Sequence, residues 1–318
     1  MKPKILISRG WPEVVQRRLT ARYDVTLNAT DTPMTLAQLR AAMGEYDAVC
    51  PTVSDKMPAE VLSTAGARVK IIANYGAGFE HIDLEAAKAA GLVVTNTPDV
   101  LTDATAELAV LLMLMTSRRA GEGERELRAG QWAGWRPTHL LGQSLAGKTL
   151  GLVGYGRIAR ATALRAKAAL GMEVAYYSRR RATDEDGATY HESLEGLATV
   201  SDVLSLHTPG GAETHHLIDG ALLARMKPTA ILINTARGSV VHEADLAQAL
   251  TDGVIAGAGL DVYQGEPKVN PLLLAAPNTV LLPHLGSATL ETRTAMGMRA
   301  ADNLDAFFDG KPPLDRVA

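Results

Sequence analysis

Residues 148 to 181, KTLGLVGYGRIARATALRAKAALGMEVAYYSRRR, leave a chain few ways to fold. An apolar run over 149–153 enters a glycine turn, Gly154-Tyr155-Gly156-Arg157-Ile158-Ala159. A helical pattern follows, with Ile158, Ala161, Leu164, Ala168 and Leu170 roughly on one face. Gly171 closes it before a second apolar run over 174–177. The spacing predicts strand, turn, helix, strand. In such a unit the first glycine permits a tight turn and the second lets the backbone approach a pyrophosphate. The helix N-terminus directs its free N–H groups and dipole at that charge. Ala159 holds the third position of the motif, where a small residue is enough for helix-to-strand packing. A glycine turn alone is weak evidence, but this one sits between two strands and opens a helix. The expectation is a dinucleotide cradle contacted by Gly154, Tyr155, Gly156, Arg157 and Ile158.

The second strand runs out into Ser178-Arg179-Arg180-Arg181, where a fold selective for NAD places an Asp or Glu for the ribose 2′-hydroxyl. No carboxylate stands there. Arginines pair with a 2′-phosphate through charge-assisted, often bidentate bonds, and a serine hydroxyl can add another. Ser178, Arg179 and Arg180 therefore predict NADP(H) in preference to NAD(H). The competing reading is a solvated charged turn.

A chain of 318 residues has room for two domains, and 47% hydrophobic with 21% charged residues suits a soluble globular protein. Lys plus Arg number 32 against 35 Asp plus Glu, a formal net charge of -3, so neither a nucleic-acid nor an anionic-membrane partner is expected. A single cysteine, Cys50, excludes an internal disulfide framework and a Cys-rich zinc site; it lies in an apolar run and reads as a buried, inert thiol. MKPKILISRG enters a strand pattern without a signal-peptide core, and the longest apolar run, 108–115, is short of the roughly 18 residues of a membrane span. A cytoplasmic location is expected.

Upstream of the cradle, strand patterns over 4–8, 24–27, 48–53, 70–73 and 93–95 alternate with helical ones over 12–23, 35–43 and 84–90. This alternation implies a parallel sheet covered on both faces. Two loops follow strand ends, where open α/β sheets place ligands: Val53-Ser54-Asp55, and Asn74-Tyr75-Gly76-Ala77-Gly78, whose glycines can expose successive N–H groups to a carboxylate. Ordinary turn chemistry explains both equally well. Residues 104–117 form a nearly all-apolar helical pattern, as expected of a helix buried at a domain or subunit interface. Trp132 and Trp135, two of only three tryptophans, follow it and suit either a dimer contact or closure of the local core.

Downstream, four more strands end in polar residues: His207-Thr208-Pro209-Gly210, Thr235-Ala236-Arg237-Gly238, Asp261 with Gly265-Glu266-Pro267, and Pro283-His284-Leu285-Gly286-Ser287. Among these, Arg237, Glu266 and His284 make a coherent acid–base set. Arginine can hold a carboxylate by two bonds, histidine is the usual general acid near neutral pH, and a carboxylate on its second nitrogen orients it. Singly, each is more often structural, and spacing does not show that they converge. From Thr289 a helical pattern runs to Leu304, and residues 311–318 read as a loose tail.

Four ordered motifs, LVGYGRI at 152–158, INTARG at 233–238, GLDVYQGEP at 259–267 and LPHLGSA at 282–288, resemble the D-isomer-specific 2-hydroxyacid dehydrogenases. Residues 74–78, Trp135-Arg136-Pro137 and the arginines after Ser178 look most like the glyoxylate/hydroxypyruvate reductases of that family. The resemblance implies an α/β protein of two doubly wound domains. A Rossmann cofactor domain, 99–288, would be inserted in a flavodoxin-like substrate domain, 1–98 with 289–318, with the cleft between them.

It further implies that Arg237 anchors the substrate carboxylate and carbonyl, His284 donates the proton and Glu266 holds the histidine. Asp261 would bond the nicotinamide carboxamide. His207, Thr208, Pro209, Thr235, Ala236 and Gly286 would line the cofactor, and Val53, Ser54, Tyr75, Gly76, Ala77 and Trp135 the substrate. Trp135 would come from the partner subunit of a homodimer. The implied reaction is NADPH-dependent reduction of a short 2-oxoacid, glyoxylate or hydroxypyruvate. A 2-ketogluconate reductase is the alternative within the family, and a dinucleotide-sensing corepressor the alternative outside it.

Overall fold

Short aliphatic runs form the first strands, and turns rich in Gly, Asp and Pro return the chain through helices. In chain order these are β1 (Lys4–Ile7), α1 (Glu13–Arg22), β2 (Asp24–Leu27), α2 (Leu36–Glu45), β3 (Ala48–Cys50), α3 (Ala59–Leu62), β4 (Ile71–Ala73), α4 (Leu84–Ala89) and β5 (Val93–Thr95). All pair in parallel, in the order β2-β1-β3-β4-β5. That is the flavodoxin-like order. Every residue of β3 and β4 is buried, as a parallel sheet covered on both faces requires. Cys50 lies among them, and burial pushes its thiol up to about 12, which keeps it protonated.

The chain continues through α5 (Thr102–Ser117), α6 (Ala120–Arg128), β6 (Thr149–Val153), α7 (Arg157–Leu170), β7 (Glu173–Tyr177), β8 (Thr189–Tyr190), α8 (Leu194–Val200) and β9 (Val203–Leu206). Then come α9 (Gly220–Leu223), β10 (Ile231–Asn234), α10 (Glu243–Thr251), β11 (Gly257–Leu260), α11 (Pro271–Ala275) and β12 (Thr279–Leu281). The seven strands lie in the order β12-β11-β10-β9-β6-β7-β8, again all parallel. Strand order reverses between β6 and β9, which opens a crevice at their carboxyl ends.

The computed structural model describes residues 1–318, and they form two units, Met1–Leu101 with Ala288–Ala318, and Thr102–Ser287. The architecture is α/β, a Rossmann-type unit inserted into a flavodoxin-like one. Where the inserted unit begins and ends, the Thr105 hydroxyl donates to the carbonyl of Gly286 at 3.1 Å. No helix is long and apolar enough to cross a membrane.

Two helices differ from their sequence patterns. The buried face of α7 consists of Ala159, Thr162, Ala163 and Ala166, whereas Leu164 is 66% exposed. The helix lies so near the sheet and α5 that only small side chains fit between them, and size overrides hydrophobicity. In α5, Ala109, Leu112 and Met113 join that core, but Leu111 and Leu114 face outward. The helix is therefore not buried on all sides within the chain.

The last helix, α12 (Leu290–Phe308), is capped by the Thr289 hydroxyl and packs Met296, Ala300, Ala301 and Leu304 onto the first sheet's core. After it, residues 311–318 are not a loose tail. Arg316 bridges Thr95 in antiparallel fashion, and the Val317 amide donates to Val94 at 2.8 Å. Asp315 is buried, accepts both Arg299 nitrogens at 2.6 and 2.8 Å, and exchanges bonds with Asn303 at 2.9 and 3.1 Å. The segment extends the edge of the sheet beside β5. Its composition is tail-like; its order comes from a partner strand and two side chains on α12.

Candidate active site

The glycine turn after β6 has the shape that a pyrophosphate needs. Gly154 has φ +89°, and a Cβ on it would stand 2.8 Å from the carbonyl oxygen of His207, so only glycine lets the β6 turn meet the β9 loop. A Cβ on Gly156 would meet nothing within 4 Å, so the space before the turn is open. Helix α7 begins there with no side-chain cap, leaving its first N–H groups for a ligand, and Ala159 beneath is fully buried. Tyr155 turns its ring inward, stacked on Tyr176 at 4.0 Å with its hydroxyl on the Glu185 carbonyl, so its side chain is withdrawn from the cradle. Around the crevice the Thr208 and Thr235 hydroxyls are buried without a protein partner. The His207 ring bonds Ser205 at 2.9 Å, and burial pushes it down to about 4, so it is neutral. A dinucleotide fits these residues.

At the end of β7 the three arginines part company. Arg181 pairs with Glu185 at 2.8 Å and covers the Tyr190 ring at 5.4 Å, a structural role. Arg179 pairs with Glu213, in the loop after β9. Arg180 is exposed and takes part in no ion pair, and the Ser178 hydroxyl donates to the Arg180 carbonyl.

The loops after β10, β11 and β12 bring the acid–base set together. Asn234 forms an Asx turn, accepting the Ala236 amide at 3.0 Å and donating to the Arg237 carbonyl at 2.9 Å, which sets the backbone of Arg237. Gly238 follows, and a Cβ there would lie 1.9 Å from the carbonyl carbon of Tyr263. The β10 and β11 loops thus touch backbone to backbone. Glu243 fixes the β11 loop from behind by accepting the Gln264 amide at 2.7 Å. The Tyr263 amide donates to one Glu266 oxygen at 2.9 Å, and the other meets His284 Nδ1 at 2.8 Å. Burial alone would raise the Glu266 pKa. The bond and charge of His284, the Tyr263 amide and the charge of Arg237 outweigh it and hold the carboxyl below its ordinary range. With Nδ1 engaged, Nε2 is the nitrogen left to exchange a proton with a ligand.

Asp261 does something that its motif did not announce. It is buried, and its carboxylate accepts the amides of Leu285 at 2.6 Å and Gly286 at 2.8 Å; its carbonyl accepts the His284 amide at 2.9 Å. Burial raises its pKa despite these bonds. The signal available in the sequence was an acid one strand end away from a Pro-His-x-Gly turn. Glu243 offered none, since it reads as an ordinary residue in the first turn of a helix.

In the first unit, the loop at 74–78 turns its carbonyls inward. Asn74 donates to Gly76 and Gly78 at 3.1 and 2.9 Å, and Asn96 to Ala77 at 2.7 Å. The Gly76, Ala77 and Gly78 amides donate to no protein acceptor, which leaves them available to an anion. Tyr75 is different from the expectation, because its buried ring packs on Trp11 at 4.7 Å and its hydroxyl is taken by the Arg293 carbonyl. Val53 and Ser54 are exposed, with Ser54 accepting from Arg9 at 2.9 Å. Trp132 and Trp135 are 53% and 83% exposed, so they do not close a core of this chain.

A family model described as D-isomer specific 2-hydroxyacid dehydrogenase, NAD binding domain, matches residues 110–286. The chain is 46% identical to a glyoxylate reductase of Thermococcus litoralis over 100% of this chain and 97% of that one. It is 40% identical to a glycerate dehydrogenase of Hyphomicrobium methylovorum over 97% of each. Among solved structures it superposes on an NADPH-dependent glyoxylate/hydroxypyruvate reductase from Sinorhizobium meliloti, in complex with NADP and malonate, with a TM-score of 0.89 and 38% identity, covering 100% of this chain and 97% of that one.

Proposed function

Because the chain belongs to the D-isomer-specific 2-hydroxyacid dehydrogenases, a family of oxidoreductases, we propose that it reduces a short 2-oxoacid, glyoxylate or hydroxypyruvate, with NADPH. The observation that carries the reading is the His284–Glu266 pair at 2.8 Å, which leaves Nε2 as the proton donor. Arg237 holds the substrate carboxylate by two bonds and draws negative charge toward the carbonyl oxygen. His284 gives that oxygen its proton, and Glu266, whose carboxyl is held below its ordinary range, holds the ring through Nδ1. When bound, the reduced nicotinamide supplies the hydride to the carbonyl carbon. The Gly76 and Ala77 amides are the proposed donors to the substrate carboxylate. The names of the relatives favour glyoxylate, and the two proposed phosphate ligands, Arg179 and Arg180, favour NADPH.

We further propose a homodimer formed through the outward face of α5 and the segment with Trp132 and Trp135, where Leu111, Leu114 and both tryptophans are exposed and aromatic side chains are of the kind enriched at interfaces. The deciding measurement of function is kcat/KM for glyoxylate, hydroxypyruvate and 2-ketogluconate, each with NADPH and NADH. The highest value is expected for one of the two smaller acids with NADPH. A highest value for 2-ketogluconate overturns the substrate assignment, and a highest value with NADH overturns the cofactor assignment.

A further inference from the structure

The loop after β9 and the end of β7 flank the β6 turn from opposite sides, since β6 lies between them in the sheet. The β9 loop is pressed against that turn, with the His207 carbonyl 2.8 Å from where a Gly154 Cβ would stand. From this loop Glu213 reaches across the mouth of the crevice to the Arg179 guanidinium. The pair therefore spans the place where the adenosine half of a dinucleotide lies in a sheet of this order.

We infer that Glu213 is a specificity-determining residue for the cofactor: it supplies, from the facing loop, the carboxylate that β7 lacks, and it competes with a 2′-phosphate for Arg179. This rests on the reading of Arg179 and Arg180 as phosphate ligands. A ribose 2′-hydroxyl can donate to Glu213 and leave the ion pair standing. A 2′-phosphate must take Arg179 from it, and then faces a carboxylate of like charge. Arg180, which no acid holds, is the guanidinium available to the phosphate from the outset. The chain thus carries opposing determinants in one crevice, and the ratio of NADPH to NADH affinity depends on their balance.

The test is the dissociation constant of NADPH and of NADH, read from cofactor fluorescence on binding, for wild type, Glu213→Gln, Arg179→Ala, the double variant and Arg180→Ala. Both Glu213 and Arg179 are about three-quarters exposed, so their removal leaves the fold intact, which unchanged melting temperatures verify. Glu213→Gln should tighten NADPH by about three- to fivefold, the range open to one charge contact at an exposed site, without tightening NADH. Combining it with Arg179→Ala should abolish the gain. If Glu213→Gln changes both constants equally or neither, or if its gain survives in the double variant, the inference fails. The wild-type ratio and the effect of Arg180→Ala test the NADPH preference separately: failure there overturns the phosphate-ligand reading, whereas an unchanged ratio in Glu213→Gln beside a weakened NADPH in Arg180→Ala overturns only the role of Glu213.

Discussion

His284 occupies the left-handed backbone region, φ +57°, and Asp261 keeps it there. The two residues after the histidine are bound by the Asp261 carboxylate, and the histidine's own amide by the Asp261 carbonyl. A non-glycine residue in this region costs of order 1 kcal/mol or more, and it persists only where the surroundings over-determine it. The buried carboxylate is what over-determines it here.

Asp261→Asn replaces one acceptor by an amide donor and sets it against a backbone N–H. The loop should shift, and kcat should fall about tenfold to a hundredfold, as small misplacements of a catalytic group do. NADPH affinity, measured by fluorescence titration, should change less than threefold. A large loss of affinity with kcat preserved would make the nicotinamide carboxamide, and not the His284 loop, the principal partner of Asp261.

His284→Ala should lower kcat by about 10²- to 10⁴-fold, and Glu266→Gln by an amount near the lower end, since the amide keeps a bond to the ring but not the carboxylate's charge. The Glu266 pKa is depressed, so the carboxylate protonates only below the ordinary glutamate value of about 4.3, and its support for the histidine is lost as pH falls through that lower value. Any acid limb of the kcat/KM profile that belongs to Glu266 should lie there and vanish in Glu266→Gln. An unaltered acid limb in the variant removes Glu266 from the assignment.

Asp315→Ala should destabilise the first unit by roughly 2 kcal/mol, the usual worth of hydrogen bonds to a charged group, because Arg299 and Asn303 lose their common partner. Burial on its own would raise the Asp315 pKa, but the bonds from Arg299 and Asn303 and the arginine's charge hold it below the carboxylate range. The folded value thus lies below the unfolded value of about 3.9, so the stabilisation is complete above that pH and is lost as pH falls through the folded value. Melting temperatures between pH 3 and 7, taken in roughly half-unit steps, should show a shallower acid decline in the variant. Equal declines would mean that Asp315 titrates alike in both states.

Leu111→Glu combined with Leu114→Glu places two charges on the exposed side of α5 without touching its buried face. Light scattering should show the mass of one chain for this variant and of two for the wild type. A monomeric wild type ends the dimer proposal.

The sequence carried the fold where local chemistry decides it. Alternating strand and helix patterns, the Gly154 turn and the polar strand ends could be read because turn geometry and periodicity are properties of neighbours in the chain. What could not be read depends on distant partners. Leu164 looks like a core residue until the sheet and α5 are found too near for it. Residues 311–318 look unstructured until β5, Arg299 and Asn303 are beside them. Arg179 looks like a free phosphate ligand until Glu213, thirty-four positions away, is seen to hold it. The acid–base set was named from its residue types and a family likeness, but the contact between Glu266 and His284 depends on Gly238 admitting the Tyr263 backbone, which no local pattern encodes.

The bond between Thr105 and Gly286 has a bearing on how such a chain could arise. It joins the first helix of the inserted unit to its last loop, so that unit begins and ends at one point. A module with adjacent ends can be lodged in another protein as though it were a surface loop, because the entropy of closing a loop depends on the separation of its ends and only weakly on what lies between. The host unit, interrupted after β5 and resumed just before α12, needs no rearrangement of its own strand order to carry it.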